Sequence, residues 1–161
     1  MDQSGVYATL ESLGIRYDKY EHPPVFTAEE AAQHWRGLRG TRCKNLFLRN
    51  KKGNHHYLVI LEVSKQADLR ELVKLVDDDR LSFGSPERLQ AELGLTPGSV
   101  SPFGLLNDDD GSVRVVIDED LRHVEALIFH PNVNTASVVI SREDFEKFLA
   151  TRKNRITYVR L

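Results

Sequence analysis

Three short stretches of the chain carry residues able to do chemistry. In "CKNLFLRN", Lys44 has the side-chain parity of Leu46 and Leu48, so a strand here puts a cation on one face with two leucines, while Asn45, Phe47 and Arg49 take the other. In "GSVSPFG", Gly98 to Gly104, two glycines and a proline bracket a run too irregular for helix or strand, which reads as a shaped loop able to present backbone groups. His130 follows the apolar run "ALIF" directly and can move a proton near neutral pH. Each also has an ordinary reading. A lysine at a strand end snorkels to water, and a histidine before proline often only bonds a neighbouring carbonyl. What joins the three is position: each lies where a strand meets a loop, the usual place for a site.

Other chemistries fail on inspection. The chain has no GxxxxGK[ST] phosphate loop, no GxGxxG, no GxSxG and no HExxH. His55 and His56 are adjacent on an expected strand, point to opposite faces, and make poor joint metal ligands. The acidic runs Asp77–Asp79, Asp108–Asp110 and Asp118–Asp120 fall at turns or strand ends and read as solvated turns. Cys43 is the single cysteine, so no internal disulfide or zinc knuckle forms, and between Arg42 and Lys44 it reads as a small packed side chain rather than a reactive thiol.

Composition bounds the rest. A length of 161 residues fits one domain, and 40% hydrophobic with 29% charged residues is ordinary for a globular protein. No apolar run approaches the roughly 20 residues that span a bilayer, and the first residues lack a basic segment followed by an apolar one, so a cytoplasmic protein is expected. The net charge of −2 conceals an asymmetry. Between Ala31 and Leu61 there is no Asp or Glu, while Arg36, Arg39, Arg42, Lys44, Arg49, Lys51 and Lys52 all fall there. Such a block can steer a polyanion to one side of the molecule, or be no more than a solvated basic hairpin.

The elements that must position these residues follow from pattern. A helix is expected over Gln3 to Leu13, stopped by Gly14, then a strand over "IRYDKYEH". Thr27 as N-cap with Glu30 three residues on marks a helix through "TAEEAAQHWRG", ended by Gly37. "KNLFLRN" and "HHYLVILEV" form a hairpin about "KKGN". Helices follow over "DLRELVKLVD" and "SPERLQAELG", the latter with Ser85 as cap, Pro86 in the first turn and Gly94 as stop. "GLLN" and "SVRVVID" read as a second hairpin about "DDDG", and "VEALIF" and "ASVVIS" as a third pair about "HPNVNT". Ser141 caps a last helix through "REDFEKFLA", and "RITYVRL" adds an edge strand. Paired strands with interspersed helices give an α+β fold with a mixed, mostly antiparallel sheet.

Taken together, "KNLFL", the GxxxP loop "GSVSP" continued as "PFGLLND", and "FHPNVNTASV" resemble the prolyl-tRNA synthetase-associated editing family, the YbaK-like aminoacyl-tRNA deacylases. "HPPVFTAEEA" resembles the family's pocket-lining segment, and order and spacing agree across nearly all 161 residues. "CKNLFLRNKKG" and "FHPNVNTAS" look closest to the single-domain branch that removes alanine from mischarged prolyl-tRNA. The resemblance implies one compact domain over residues 1–161 about a barrel-like mixed sheet, with no metal or organic cofactor. It implies a monomer whose partners are the acceptor end of tRNA(Pro) and prolyl-tRNA synthetase.

It also implies roles. Lys44, Gly98 and His130 would be the catalytic set: Lys44 holding the terminal adenosine, the Gly98 carbonyl receiving the α-ammonium, and His130 closing the pocket. Val25, Phe26, Thr27, Asn45, Leu46, Leu48, Ser101, Pro102, Phe103 and Gly104 would contact the aminoacyl end, with Val25, Phe26, Leu46 and Leu48 as walls. Arg36, Arg39, Arg42, Arg49, Lys51 and Lys52 would meet acceptor-stem phosphates. Two alternatives stay open: the same fold acting on a cysteinyl, seryl or threonyl ester, and a non-catalytic tRNA- or synthetase-binding module.

Overall fold

The computed structural model describes residues 1–24 and 39–161. The expected helix over Thr27–Gly37, with its cap and stop, lies outside the described residues, as do Val25, Phe26 and Arg36.

Helix α1 (Gln3–Ser12) is capped by Asp2, whose side chain accepts from the Gly5 amide, and it buries Val6 and Leu10. Strand β1 (Tyr17–Glu21) follows. Strands β2 (Thr41–Asn50) and β3 (His56–Glu62) form the expected antiparallel hairpin, with Lys44 opposite Leu61. Helix α2 (Leu69–Val76) begins at Asp68, which accepts from two amides of the first turn, and ends at Asp77 in the left-handed region. A three-residue strand, β4 (Leu81–Phe83), then pairs with the end of β2. It is too short to show a period in the sequence. Helix α3 (Pro86–Leu93) has the cap, first-turn proline and left-handed glycine that its residues demand.

After a 3-10 turn (Pro102–Asn107) come β5 (Arg114–Asp118), β6 (Ala126–Phe129), β7 (Ala136–Ser141), α4 (Arg142–Ala150) and β8 (Ile156–Val159). β6 and β7 pair antiparallel, Ser141 caps α4 through the Asp144 amide, and β8 is an edge strand, all as the pattern predicts. One expectation is overturned. "GLLN" and "SVRVVID" form no hairpin: Ser101 caps the 3-10 turn, and β5 lies parallel to both β3 and β8.

The sheet runs β1-β7-β6-β2-β3-β5-β8, with β4 attached to β2. It is mixed, as expected, but not closed into a barrel, for β1 and β8 stand at its two ends. Both faces are covered. On one, α1, α3, α4 and the 3-10 turn pack on Cys43, Phe47, Leu58 and Ile60. On the other, Leu72 of α2 packs on Leu48, Tyr57, Val59 and Leu61. Burial on both faces is why "YLVIL" reads as a continuous apolar run.

The three acidic runs are not the solvated turns expected, because each places one carboxylate inside. Asp118, fully buried, meets Lys65 Nζ at 2.6 Å. Asp108 accepts from the amides of Ser112 and Val113 and from Asn154. Asp78 accepts from Tyr57, His55 and Asn50, tying the α2–β4 connection to the hairpin. Burial pushes the Asp78 carboxyl up, but hydrogen bonds from Tyr57, His55, the Asp79 amide and Asn50 outweigh it and hold the group well below the usual carboxylate range. A carboxylate depressed in the folded state stabilises above its unfolded pKa and loses that contribution as pH falls through its folded one. Asp78→Asn is therefore expected to lower stability by about 2 kcal/mol near neutrality, with the gap to wild type closing as denaturation is repeated at progressively acid pH.

Candidate functional site

β2 is paired with β3 along nearly its whole length, but its other edge is covered only in part. β6 lies beside Thr41 and Arg42, running parallel, and β4 beside Leu48 to Asn50. Between them, from Cys43 to Phe47, no strand of the described residues pairs along that edge. A groove of about 210 Å³ opens there, lined by Asn45, Leu46 and Phe47 of β2, by Phe83, Gly84, Pro86 and Leu89, and by Pro97, Gly98 and Val100 of the loop.

β6 pairs with β2 at Thr41–Leu127 and Arg42–Ile128, so Lys44 on β2 and His130 just after β6 each stand two residues beyond the last pair. The Gly98 loop faces Asn45 across the groove. It is tied to the loop after β6 by Ser101 Oγ, which donates to Asn132 Oδ1 at 2.8 Å, while Asn132 Nδ2 donates to the Phe103 carbonyl at 3.4 Å. Asn132 sits at φ 62, in the left-handed region that asparagine tolerates better than most residues. Phe103 and Phe129 meet edge to face beneath, ring centroids 6.1 Å apart. Gly98 itself has φ +90 and is exposed, presenting backbone rather than side chain.

His130 is half-buried, its Nδ1 donating to the Ala136 carbonyl at 2.9 Å. That bond fixes the tautomer and leaves Nε2 as the lone-pair nitrogen. Burial lowers its pKa, the Ala136 carbonyl opposes this, and nearby His22 lowers it further, with a net position below the usual 6.5. His22 stands edge-on to it at 6.1 Å and is held by Ser137 Oγ and the Pro23 carbonyl, each at 2.9 Å.

Other expected site residues fall elsewhere. Leu46 lines the groove, but Leu48 has no exposure and belongs to the core under α2. Ser101, Pro102, Phe103 and Gly104 are buried, with Phe103 wedged against Phe129 and Phe148 and Gly104 against Leu95. They shape the loop from behind. Thr27 lies outside the described residues, with Val25 and Phe26. Among the described residues no three His, Cys, Asp or Glu side chains converge on a point that could hold a metal.

Of the basic block, Arg39, Arg42, Lys51 and Lys52 are exposed. Arg49 caps the hairpin turn, its Nε on the Asn50 carbonyl at 3.1 Å and its Nη2 on the Lys51 carbonyl at 3.0 Å. Arg88 joins it from α3, donating to the Gly53 carbonyl and to His56 Nε2, each at 3.0 Å. Sequence reading missed Arg88, which lies beyond the acid-free block and reaches the hairpin only through the fold. Asn132 and Phe83 were missed as well. The "PNVN" turn signal pointed to a loop, and nothing in "LSFG" distinguished an exposed phenylalanine from a core one.

Comparison with known proteins gives a consistent result. The family model for the aminoacyl-tRNA editing domain matches residues 22–148. The chain is 42% identical over 159 residues to the prolyl-tRNA editing protein ProX of Acetoanaerobium sticklandii, covering 99% of this chain and 97% of that one. It is 36% identical over 144 residues to the bovine prolyl-tRNA synthetase associated domain-containing protein 1, covering 87% and 84%. A crystal structure assigned provisionally as a trans-editing enzyme for prolyl tRNA synthetase superposes with a TM-score of 0.73 at 24% identity, over 99% of this chain and 96% of the other.

Cys43 bears on none of this chemistry. It faces the main core, and burial pushes its thiol up to about 12. Iodoacetamide at pH 8 is expected to leave native protein unlabelled and to modify Cys43 fully once the chain is denatured, as read by intact mass.

Proposed function

The chain belongs to the aminoacyl-tRNA editing domain family, and on that premise we propose that Lys44, the Gly98 loop and His130 form the site of a trans-editing deacylase acting on mischarged tRNA(Pro), with alanyl-tRNA(Pro) as substrate. The observation that supports the reading is that Lys44 stands on β2, His130 directly after its neighbour β6, and the Gly98 loop on the groove beside Asn45.

The reaction is hydrolysis of the ester between the amino acid and the terminal ribose. Water adds to the ester carbonyl, the carbon–oxygen bond to the ribose breaks, and the ribose hydroxyl leaves with a proton. Such an ester is already activated, so positioning and oxyanion stabilisation supply much of the rate without a nucleophilic triad. Lys44 holds the terminal adenosine through its phosphate or ribose. The Gly98 carbonyl receives the α-ammonium, and loop amides face the carbonyl oxygen. His130 closes the pocket in its neutral form. Selection follows from size: alanine is smaller than proline, so a tight pocket admits the one and excludes the other. Arg39, Arg42, Arg49, Lys51 and Lys52 meet acceptor-stem phosphates, with Arg88 added to the set by its place beside Arg49. No helix among the described residues is long and apolar enough to cross a membrane. The protein is proposed to work as a cytoplasmic monomer, alone or beside prolyl-tRNA synthetase.

The deciding assay follows ester loss from tRNA(Pro) carrying alanine, cysteine, serine or proline. Alanine is expected to be released and proline spared. Release of cysteine alone would move the substrate to another branch, and release of none would leave a binding module. Lys44→Ala should lower kcat/KM at least 100-fold, about 2.7 kcal/mol of transition-state stabilisation, with its melting temperature unchanged. Because the neutral form of His130 persists below 6.5, the rate should hold as pH falls through that value and decline only further down. A rate–pH curve already falling above 6.5 would rule out the role given to the neutral imidazole.

A further inference from the structure

The two loops beside the site are held unequally. The loop after β6 is fixed at both of its ends: His130 Nδ1 donates to the Ala136 carbonyl and the His22 amide donates to the Thr135 carbonyl, each at 2.9 Å. The Gly98 loop has fewer polar ties. It lies outside helix and strand from Leu95 to Ser101, and among the described residues its one hydrogen bond to a distant segment runs from Ser101 Oγ to Asn132 Oδ1, at 2.8 Å. A loop with so few bonds of its own opens locally unless something else holds it.

Asn132 uses both ends of its amide in that tie. Oδ1 accepts from Ser101, while Nδ2 donates to the Phe103 carbonyl at 3.4 Å and to the Met1 carbonyl at 3.3 Å. Ser101 has no exposure, and its hydroxyl also accepts from the Phe103 amide at 3.0 Å, so the bond to Asn132 takes the single proton it has to give. The asparagine reaches it from a left-handed backbone, φ 62, a conformation that most other side chains adopt only at a cost. Without the Asn132 side chain a buried hydroxyl would lose its acceptor.

From this we infer that Asn132 is a positioning residue for the deacylase: through Ser101 it sets the spacing between the Gly98 loop and the loop that carries His130, and that spacing decides which aminoacyl group is hydrolysed. The inference rests on the reading of the two loops as walls of the editing site. Asn132 touches no reacting atom. It acts by making the less anchored loop share the anchorage of the other, which is tied to β7 and to the end of β1. Proline exceeds alanine by two carbons, and a size sieve discriminates only as far as its walls resist being pushed apart. The same stiffness serves rate, since groups that face the ester carbonyl contribute only while they are held in place.

The test compares alanyl- and prolyl-tRNA(Pro) as substrates for wild type, Asn132→Gly, Ser101→Ala and the double variant. Glycine accepts φ 62, so the first change removes the side chain without straining the backbone. Asn132→Gly is expected to lower kcat on the alanyl ester about 10-fold with KM little changed, the kind of loss a small misplacement causes, while hydrolysis of the prolyl ester holds or rises. The alanine-to-proline ratio of kcat/KM then falls about 10-fold as well. Ser101→Ala should lower the ratio likewise, and in that background Asn132→Gly should lower it no further, because the bond is already gone. A merely structural asparagine would instead reduce the amount of folded enzyme and depress both substrates together. An unchanged ratio in Asn132→Gly, or effects of the two substitutions that multiply, would overturn the positioning role while leaving the deacylase intact. Should either single variant lack a melting transition, the other decides by the same ratio. No hydrolysis of alanyl-tRNA(Pro) by wild type would overturn the deacylase itself.

Discussion

The arrangement depends on how β2 shares its hydrogen bonds. Along one edge it is paired with β3 over nearly its full length, but along the other, among the described residues, it meets β6 only at its start and β4 only at its end. A central strand ordinarily has both edges satisfied, and an uncovered stretch leaves backbone donors and acceptors to be met by something else. Among the described residues the stretch is five residues long, Cys43 to Phe47, and the Gly98 loop lies across the groove from it. The sheet thus supplies an interruption fixed on three sides by regular structure, which is a stiffer frame for a site than any loop alone. The rigidity comes from the two cores, since Cys43 and Phe47 are buried on one face of β2 and Leu48 on the other.

That double burial also explains what could be read from the residues. The alternation in "CKNLFLRN" placed Lys44 with Leu46 and Leu48, and the two leucines do share the α2 face while Cys43 and Phe47 share the opposite one. Caps and stops at Ser85, Gly94 and Ser141 were legible because each acts on its own neighbouring amides or carbonyls. Long-range pairings were not. Parallel partners for β5 lie 57 residues upstream and 41 downstream, so its local company, "DDDG" after "GLLN", argued for a hairpin that did not form. A barrel was expected from family resemblance, and closure depends on how the edge strands end, a property no local pattern encodes.

The acidic runs show the same limit from another side. Three aspartates in a row look solvated, and most of each run is, yet Asp78, Asp108 and Asp118 each turn one carboxylate inward onto donors supplied by distant segments. Since these bonds fasten loops to strands, part of the chain's acidity is spent in structure rather than displayed on the surface. The block around β2 has no acids of its own, and Arg49 and Arg88 make their hydrogen bonds to carbonyls and an imidazole rather than to carboxylates. Asp78, Asp79 and Glu92 come to the hairpin from outside the block, on Asn50, on the Lys51 amide and on His56, so its charge is offset in part while Lys51 and Lys52 stay exposed.

On the proposed reading, a neutral histidine, a lysine and a glycine-bearing loop would be modest equipment for catalysis, and this fits the demand. When the bond to be broken is already reactive, a strong nucleophile adds little to rate and threatens every correctly charged ester that enters. A site that works by fixing the ribose end and offering amides to the developing oxyanion accelerates only what fits, because each group must be placed within a few tenths of an ångström to contribute. Discrimination and rate then come from one geometry. On that reading the edge of β2 left open among the described residues would serve both, since the strand that carries Lys44 also carries Asn45, Leu46 and Phe47, which line the groove.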